Sequence, residues 1–138
     1  MEMVEWLNWA GDSQAQNGSL YKLDRLVRVL AHTVTGPSTT NQIEFRGLPG
    51  GTVIVEYATS AAMDAAFADV TDRLGTKNYY ALGTSDVLFP QNANRIYVPN
   101  STTMLFVDAE QINMGTAAAA QAKLDDIRAW LGGRRLDL

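Results

Sequence analysis

His32 is the one histidine of the chain, and imidazole is the side chain best suited to exchange a proton near neutral pH. A histidine that acts as a general base needs a carboxylate that orients its ring. Asp24 lies eight residues earlier, which on one continuous strand gives a shared face but a separation of more than about 20 Å. Asp12, Asp108 and Glu110 reach His32 only through tertiary structure. No G-x-S-x-G elbow is present, so we predict no catalytic residue, with His32 as the first candidate if the protein is an enzyme.

Asp108 and Glu110 follow the apolar stretch "MLFV", a position at the end of a strand that suits a catalytic or metal-binding acid. Hard cations need several closely spaced oxygen ligands, and the chain has no D-x-D-x-D-G run. One histidine and no cysteine exclude a multi-histidine or thiolate zinc site. We therefore predict no metal and no cofactor. Asp108 and Glu110 stay, with His32, the polar candidates for an enzyme.

The stretch "GLPGGT", residues 47–52, has glycines beside a strand, as some phosphate-binding loops do. It matches neither G-x-G-x-x-G nor G-x-x-x-x-G-K-[ST]. Its glycines come before a strand, whereas a phosphate cradle needs them directly before a helix N-terminus, where free N–H groups converge. Pro49 also lacks an N–H group. We interpret the stretch as the turn of a β-hairpin.

Aromatic residues are the strongest indication of a binding function. Trp6 and Trp9 lie in a short N-terminal segment, and tryptophan is enriched among the residues that dominate protein–protein interfaces. We name this pair as the candidate contact with a partner subunit; the other interpretation is that the segment covers one end of the core of its own chain. The alternative is a small-molecule pocket between sheet and helices, lined by other aromatic side chains. Its predicted lining residues are Tyr79, Tyr80, Tyr97 and Trp130.

Charge argues against two classes of partner. The net charge is −4, from 11 basic and 15 acidic side chains. Nucleic-acid binding depends on neutralising phosphates with lysine and arginine, and anionic membranes attract clustered basic residues. We therefore predict neither a nucleic-acid partner nor a membrane partner. The charged fraction of 19% is below the usual value of about 25%, which favours protein contacts because interface cores are depleted of charge.

The elements that must position these residues alternate between strands and helices. Residues 41–46 alternate in polarity and 52–57 are β-branched, so they predict an antiparallel hairpin around the glycine turn. Helices are predicted over 60–74 and 117–131, and 102–109 predicts a central strand that is apolar on both faces. The predicted fold is α+β, a mostly antiparallel sheet with both helices packed on one face. The predicted buried stripes are Met63, Phe67, Val70 and Leu74, and Ala120, Leu124, Ile127 and Leu131, with Thr59 or Ser60 and Thr116 as caps.

Residues 20–34, "LYKLDRLVRVLAHTV", fit two interpretations. As a helix, most of the leucines and valines fall on one side, and the following Gly-Pro pair ends it. As a strand, Val27, Val29 and Val34 supply β-branched side chains that favour extended structure. We favour the strand.

A chain of 138 residues suits one domain, 1–138, with 1–18 as an N-terminal segment and loop that packs either on its own domain or on a partner subunit. The first residues lack the basic region of a secretory signal, and no apolar run approaches the roughly 20 residues of a membrane span. We expect a cytoplasmic protein by default. The predicted function is that of a non-catalytic protein–protein interaction or assembly protein that forms a homo-oligomer. The alternatives are the small-molecule pocket and an enzyme without a recognisable motif.

Overall fold

The computed structural model describes residues 5–11, 15–48, 51–74 and 79–138. Over these ranges the chain forms ten strands, all paired antiparallel, and two α-helices, so the predicted α+β class is confirmed. The strands lie in three sheets, a division that the sequence pattern does not reveal. The elements are β1 (Trp6–Trp9), β2 (Ser19–Lys22), β3 (Arg28–Val34), β4 (Thr40–Leu48), β5 (Gly51–Tyr57), α1 (Ser60–Leu74), β6 (Tyr80–Gly83), β7 (Asp86–Leu88), β8 (Ile96–Tyr97), β9 (Met104–Val107), β10 (Glu110–Asn113) and α2 (Ala117–Leu131).

Packing divides the chain into two compact units, of which the first is Met1–Phe89. The prediction of one domain stays a prediction. The first unit is built on a five-stranded sheet in the order β5–β4–β3–β7–β6. Alternate side chains of its strands form an apolar face, and α1 packs against β3, β4 and β5. The buried centre includes Val29 and Ile43 of the sheet and Phe67 of α1.

The helix α1 has the bounds that its apolar spacing predicts. Thr59 is its cap, because the Thr59 Oγ1 accepts a hydrogen bond from the Ala62 N–H at 3.1 Å. The predicted buried stripe is confirmed by Met63, Phe67 and Leu74, which lie inside the core. Cap and stripe together fix which side of α1 meets the sheet.

Residues 19–34 are extended, so the strand interpretation is confirmed and the helical one is wrong, but they form two strands. A 3-10 turn, Leu23–Arg25, separates β2 from β3. The Leu26 N–H closes this turn on the Leu23 carbonyl at 3.1 Å, and the Val27 N–H then donates to the Arg46 carbonyl at 2.9 Å. The turn directs β3 into the five-stranded sheet and leaves β2 to pair with β1.

The strands β1 and β2 form a two-stranded antiparallel hairpin, in which β1 belongs to the region 1–18 predicted as segment and loop and β2 follows that region. Leu7 and Trp9 point inward and pack against the core of the first unit. The connection ends at Asn17 and Gly18, which both have positive φ. A Cβ on Gly18 would lie 2.5 Å from the Trp9 carbonyl oxygen, so glycine is required there. Asp12, in the same connection, lies outside the described residues.

The strands β4 and β5 form the hairpin predicted around the glycine turn. Pro49 and Gly50 of that turn lie outside the described residues. A β-bulge interrupts the pairing near Gly47, which has a φ of 92°. A Cβ on Gly47 would lie 2.6 Å from the Val27 Cγ2, so the bulge lets the backbone of β4 approach the chain that enters β3.

The second compact unit, Pro90–Leu138, contains a three-stranded sheet with β9 between β8 and β10, so the predicted central strand is confirmed. Leu105 and Val107 of β9 are buried, and α2 packs against this strand. Thr116 is the predicted cap of α2, because its Oγ1 accepts a hydrogen bond from the Ala119 N–H at 3.0 Å. The buried stripe of α2 consists of Ala120, Leu124 and Ile127.

Candidate functional site

The outer face of the β1–β2 hairpin carries two large apolar side chains that are exposed to solvent. Trp6 is 52% exposed and Leu20 is 66% exposed. Trp6 lies opposite Lys22 and Asn8 lies opposite Leu20, so the four side chains share this face. The Lys22 Nζ lies 5.8 Å from the centroid of the Trp6 ring. We call these four residues the hairpin face.

The hairpin face has a fixed position because the inward face of the same hairpin is anchored. Trp9 packs against the core of the first unit, and its ring centroid lies 6.3 Å from that of Tyr21. The Leu23 N–H donates to the Glu5 carbonyl at 2.9 Å and extends the pairing by one residue. Sequence reasoning groups Trp6 with Trp9, whereas the structure separates them. Trp6 is open to a partner, and Trp9 is partly buried against the core of its own unit.

A cleft runs between β1 on one side and α1 with β5 on the other. Two adjoining cavities form it, with volumes of about 270 and 550 Å³. Both are lined by Leu7, Asn8, Phe45 and Val70, which join them into one depression. Phe45 is buried and lies at the base, so the floor of the cleft is apolar. We call this depression the β1 cleft.

Open backbone groups of β1 line the β1 cleft. Backbone hydrogen bonding alternates along an antiparallel pair. The Leu23–Glu5 bond fixes the phase of this alternation and leaves the N–H and C=O of Trp6 and Asn8 pointing away from β2. Across the part of the chain that the structure describes, no strand pairs with this edge. An open strand edge beside an apolar floor is the arrangement that binds extended peptides by strand addition.

A cluster of charged side chains lies on the other face of the five-stranded sheet. The His32 Nε2 contacts one carboxylate oxygen of Glu44, and the Arg46 Nη1 donates to the second oxygen at 3.0 Å. Arg28 donates two hydrogen bonds to Asp86, from Nε to Oδ1 at 2.9 Å and from Nη2 to Oδ2 at 2.6 Å. The two arginines balance the two carboxylates, so the cluster is electrically neutral when His32 is neutral.

Glu44 gives His32 the carboxylate partner that sequence reasoning sought in Asp24 and in more distant acids. The two residues are twelve apart, on neighbouring strands, and they meet diagonally because His32 lies opposite Gln42. The pairing of His32 with Glu44 depends on the register of β3 against β4. The alternation of "NQIEFR" is the one sequence signal that bears on it, because it indicates which side chains of β4 share a face with Glu44. Within the described ranges, no group of three or more His, Asp or Glu side chains is placed to hold a metal ion.

Asp108 supports the fold of the second unit. It occupies the turn between β9 and β10 with a φ of 54°. Its Oδ1 accepts hydrogen bonds from the backbone N–H groups of Asn94 at 2.8 Å and Arg95 at 3.0 Å. Glu110 is the first residue of β10 and lies opposite Val107. The turn carboxylate therefore ties the chain before β8 to the β9–β10 hairpin.

Two of the four aromatic residues of the predicted small-molecule pocket lie in the first unit. The ring of Tyr79 packs against Phe89, with centroids 6.1 Å apart. Tyr80 is the first residue of β6 and pairs with Leu88 of β7. Neither tyrosine contributes to the lining of the β1 cleft.

The other two aromatic residues lie in the second unit, in two different contacts. The Tyr97 ring stacks on Phe106 with centroids 5.2 Å apart, and the Arg95 guanidinium lies 3.8 Å from the Tyr97 ring centroid. The Arg134 guanidinium lies 4.3 Å from the centroid of the Trp130 ring. Each predicted pocket residue of this unit thus has a local stacking partner.

No protein-family model matches the chain, and comparisons with curated proteins and with solved structures give no match. None of the helices within the described residues combines the length and the apolar character needed to cross a bilayer. The case for a function therefore depends on the geometry of the hairpin face, the β1 cleft and the charged cluster.

Proposed function

We propose that the protein is a non-catalytic assembly protein that associates with copies of itself through the hairpin face and the adjoining β1 cleft. The observation that carries this proposal is the exposure of Trp6 and Leu20 on one face of an anchored hairpin. Large, well-positioned apolar side chains supply most of the binding energy of an interface, and tryptophan is the most enriched among them. Anchoring matters because a rigid Trp6 loses little conformational entropy on binding.

The charge of the hairpin face also supports a protein partner. Lys22 is its one ionised group, and the low charged fraction of the chain leaves few groups to desolvate in a contact between copies. Lysine stems cover apolar surface while the ammonium stays in water, so Lys22 fits the rim of such a contact beside Trp6.

Light scattering coupled to size-exclusion chromatography, over a dilution series, tests the proposal. We expect the wild-type mass to rise above that of one chain as concentration increases. We expect a Trp6→Ala, Leu20→Ser double variant to keep the mass of one chain. Val34→Ser is the matched control, because Val34 is an exposed apolar residue of β3 outside the hairpin face, and its loss should leave association unchanged.

A fold control accompanies the test. Trp6 is about half exposed and Leu20 about two-thirds exposed, so the double variant should stay folded, which urea denaturation checks. A wild type with the mass of one chain at every concentration would overturn the proposal. A double variant that is folded and associates as the wild type does would overturn it equally.

A further inference from the structure

Leu136 and Leu138 are the most exposed large apolar side chains among the described residues, with Leu136 83% exposed and Leu138 fully exposed. They follow α2 and the 3-10 turn Gly132–Arg134. The backbone of Arg135 is already extended, with a φ of −107° and a ψ of 151°. In an extended chain, side chains two residues apart share a face. The segment therefore has the apolar–polar–apolar pattern of a short strand.

Hydrogen bonds hold the base of this segment against the end of α2. Arg134 donates from Nε to the Leu131 carbonyl at 3.1 Å and from Nη2 to the Trp130 carbonyl at 3.0 Å. The Arg135 Nη1 donates to the Arg128 carbonyl at 2.6 Å. These bonds satisfy carbonyl groups that a helix leaves open at its C-terminus. The segment thus leaves α2 in a defined direction with both leucines exposed.

The β1 cleft has the features that complement this segment. Its open backbone groups belong to Trp6 and Asn8, two residues apart, which is the spacing that an added antiparallel strand bonds. If Arg135 and Asp137 bond to Asn8 and Trp6, the leucines next to them point inward, towards the apolar floor of the cleft. Asp137 then points outward, in the same row as the Trp6 ring and the Lys22 ammonium, which has the opposite charge.

We propose that Arg135–Leu138 of one copy adds as an antiparallel strand to β1 of a second copy, with Leu136 and Leu138 in the β1 cleft. The inference rests on the proposed self-association and names the segment that enters the β1 cleft beside the hairpin face. Both leucines are exposed in their own chain, which leaves them available to a second copy.

Donor and acceptor surfaces differ in this contact, so copies join head to tail and form either a closed ring, of which a reciprocal pair is the smallest, or an open fibre. The added strand has four residues, far fewer than the roughly 20–30 residues that each side contributes to a standard stable interface. The association is accordingly weak and depends on concentration.

A synthetic peptide with the sequence of residues 133–138, GRRLDL, tests the donor segment. It is titrated into an isotope-labelled Leu136→Ser, Leu138→Ser variant, whose own segment cannot compete. We expect NMR shift changes at the backbone amides of Trp6 and Asn8 and at the Val70 methyl groups, and none with the control peptide GRRSDS at the same concentration. Equal shifts with both peptides, or no shifts at these positions, would overturn the proposal.

A mixing experiment tests the head-to-tail geometry. Asn8→Pro removes an N–H that points away from β2, so it should block strand addition and keep the hairpin. Asn8→Lys, a charge on the open edge, is the second variant if the proline unfolds the hairpin. We expect either Asn8 variant alone, and the Leu136→Ser, Leu138→Ser variant alone, to have the mass of one chain. Their mixture should reach the mass of two chains and no more, since one intact segment and one intact cleft remain.

The outcomes separate this inference from the proposed function. A mixture that stays at the mass of one chain overturns strand addition. A Leu136→Ser, Leu138→Ser variant that associates like the wild type also overturns it, and the proposed function stands if Trp6→Ala, Leu20→Ser abolishes that association. A wild type that never associates, while the peptide still binds, assigns the cleft to a different partner and overturns both.

Discussion

Arg28 and Asp86 form a two-bond ion pair between the neighbouring strands β3 and β7, although they lie 58 residues apart in the sequence. Their side chains are 13% and 16% exposed, so loss of the carboxylate removes two charge-assisted hydrogen bonds from a largely buried guanidinium. We expect Asp86→Leu to lower the free energy of unfolding by about 3 kcal/mol, measured by urea denaturation. The Arg28→Met, Asp86→Leu double variant should lose less free energy of unfolding than Asp86→Leu alone, because neither side chain of the double variant carries a charge.

The exposed pair of Asp125 and Arg128 in α2 is a control of the same chemistry. The side chain of Asp125 is 61% exposed and that of Arg128 is 54% exposed, and the Arg128 Nη1 lies 2.8 Å from the Asp125 Oδ1. We expect Asp125→Ala to change the free energy of unfolding by no more than about 0.5 kcal/mol. If Asp86→Leu and Asp125→Ala lowered the free energy of unfolding equally, burial would not be what makes the Arg28–Asp86 pair important for stability.

Asp108 combines a left-handed backbone with two accepted hydrogen bonds, and substitutions separate the two contributions. Asp108→Ala removes the acceptor for Asn94 and Arg95 and keeps a Cβ at positive φ, so it should destabilise by about 2–3 kcal/mol. Asp108→Gly relieves the backbone and should recover about 1 kcal/mol of that loss. Asp108→Asn keeps an acceptor oxygen and should lose least. Thermal unfolding of the three variants measures the order, and an Asp108→Ala variant as stable as the wild type would show that the two hydrogen bonds contribute nothing.

Gly18 permits the close approach that forms the hairpin. Its φ is 82°, and an added Cβ would overlap the Trp9 carbonyl oxygen. We expect Gly18→Ala to destabilise by about 2 kcal/mol or more and to shift tryptophan fluorescence to longer wavelength, because Trp9 leaves the core. Gly133→Ala is the control, since a Cβ there meets no atom within 4 Å. An unchanged emission spectrum in Gly18→Ala would contradict the anchored position of the hairpin.

Tyr57 makes stability depend on alkaline pH. Burial raises the pKa of its phenol above the usual value of 10.0 because the ionised form loses solvation. The folded chain therefore holds the phenolic proton more tightly than the unfolded chain does. The resulting stabilisation is complete below about pH 10 and is lost as pH rises through the raised pKa.

Tyr57→Phe should flatten this dependence, measured as the free energy of unfolding between about pH 9 and pH 12 against the wild type. Absorbance titration of the phenols should lose one component that titrates above about pH 10 in the same variant. A wild-type curve as flat as that of Tyr57→Phe would show that folding does not raise the pKa of Tyr57.

Local signals in the sequence predict the elements that local forces form. The stripe from Met63 to Leu74 and the cap at Thr116 depend on residues within a few positions of each other, and both are where their spacing predicts. The central position of β9 is predictable for a related reason, since a run of consecutive apolar residues is typical of a strand with a neighbour on each edge. A turn of only three residues, Leu23–Arg25, breaks the pattern of its region and has no comparable signal.

The charged cluster and the hairpin face depend on register, which a single chain does not display. His32 meets Glu44 because β3 and β4 pair with a particular offset, and an offset of one residue would place the two side chains on opposite faces. Trp6 and Trp9 look equivalent in the sequence, yet odd and even positions of β1 face opposite ways. Two residues three positions apart lie on opposite faces of a strand, whereas the same spacing would place them on one face of a helix.

The place of β7 beside β3 also sets the order in which the first unit can assemble. The meander β3–β4–β5 joins neighbours in sequence, but β7 reaches β3 only after the chain has passed through α1 and the residues that follow it. The pairing of β7 with β3 closes a long loop, which costs conformational entropy before the contacts between the two strands can stabilise it. This step is therefore slow. In pulsed hydrogen exchange during refolding, amides of Ile43 and Val55 should be protected before that of Val87. Until then the β7 edge of β3 is open, and a folding chain has an interval in which its central strand can pair with the wrong neighbour.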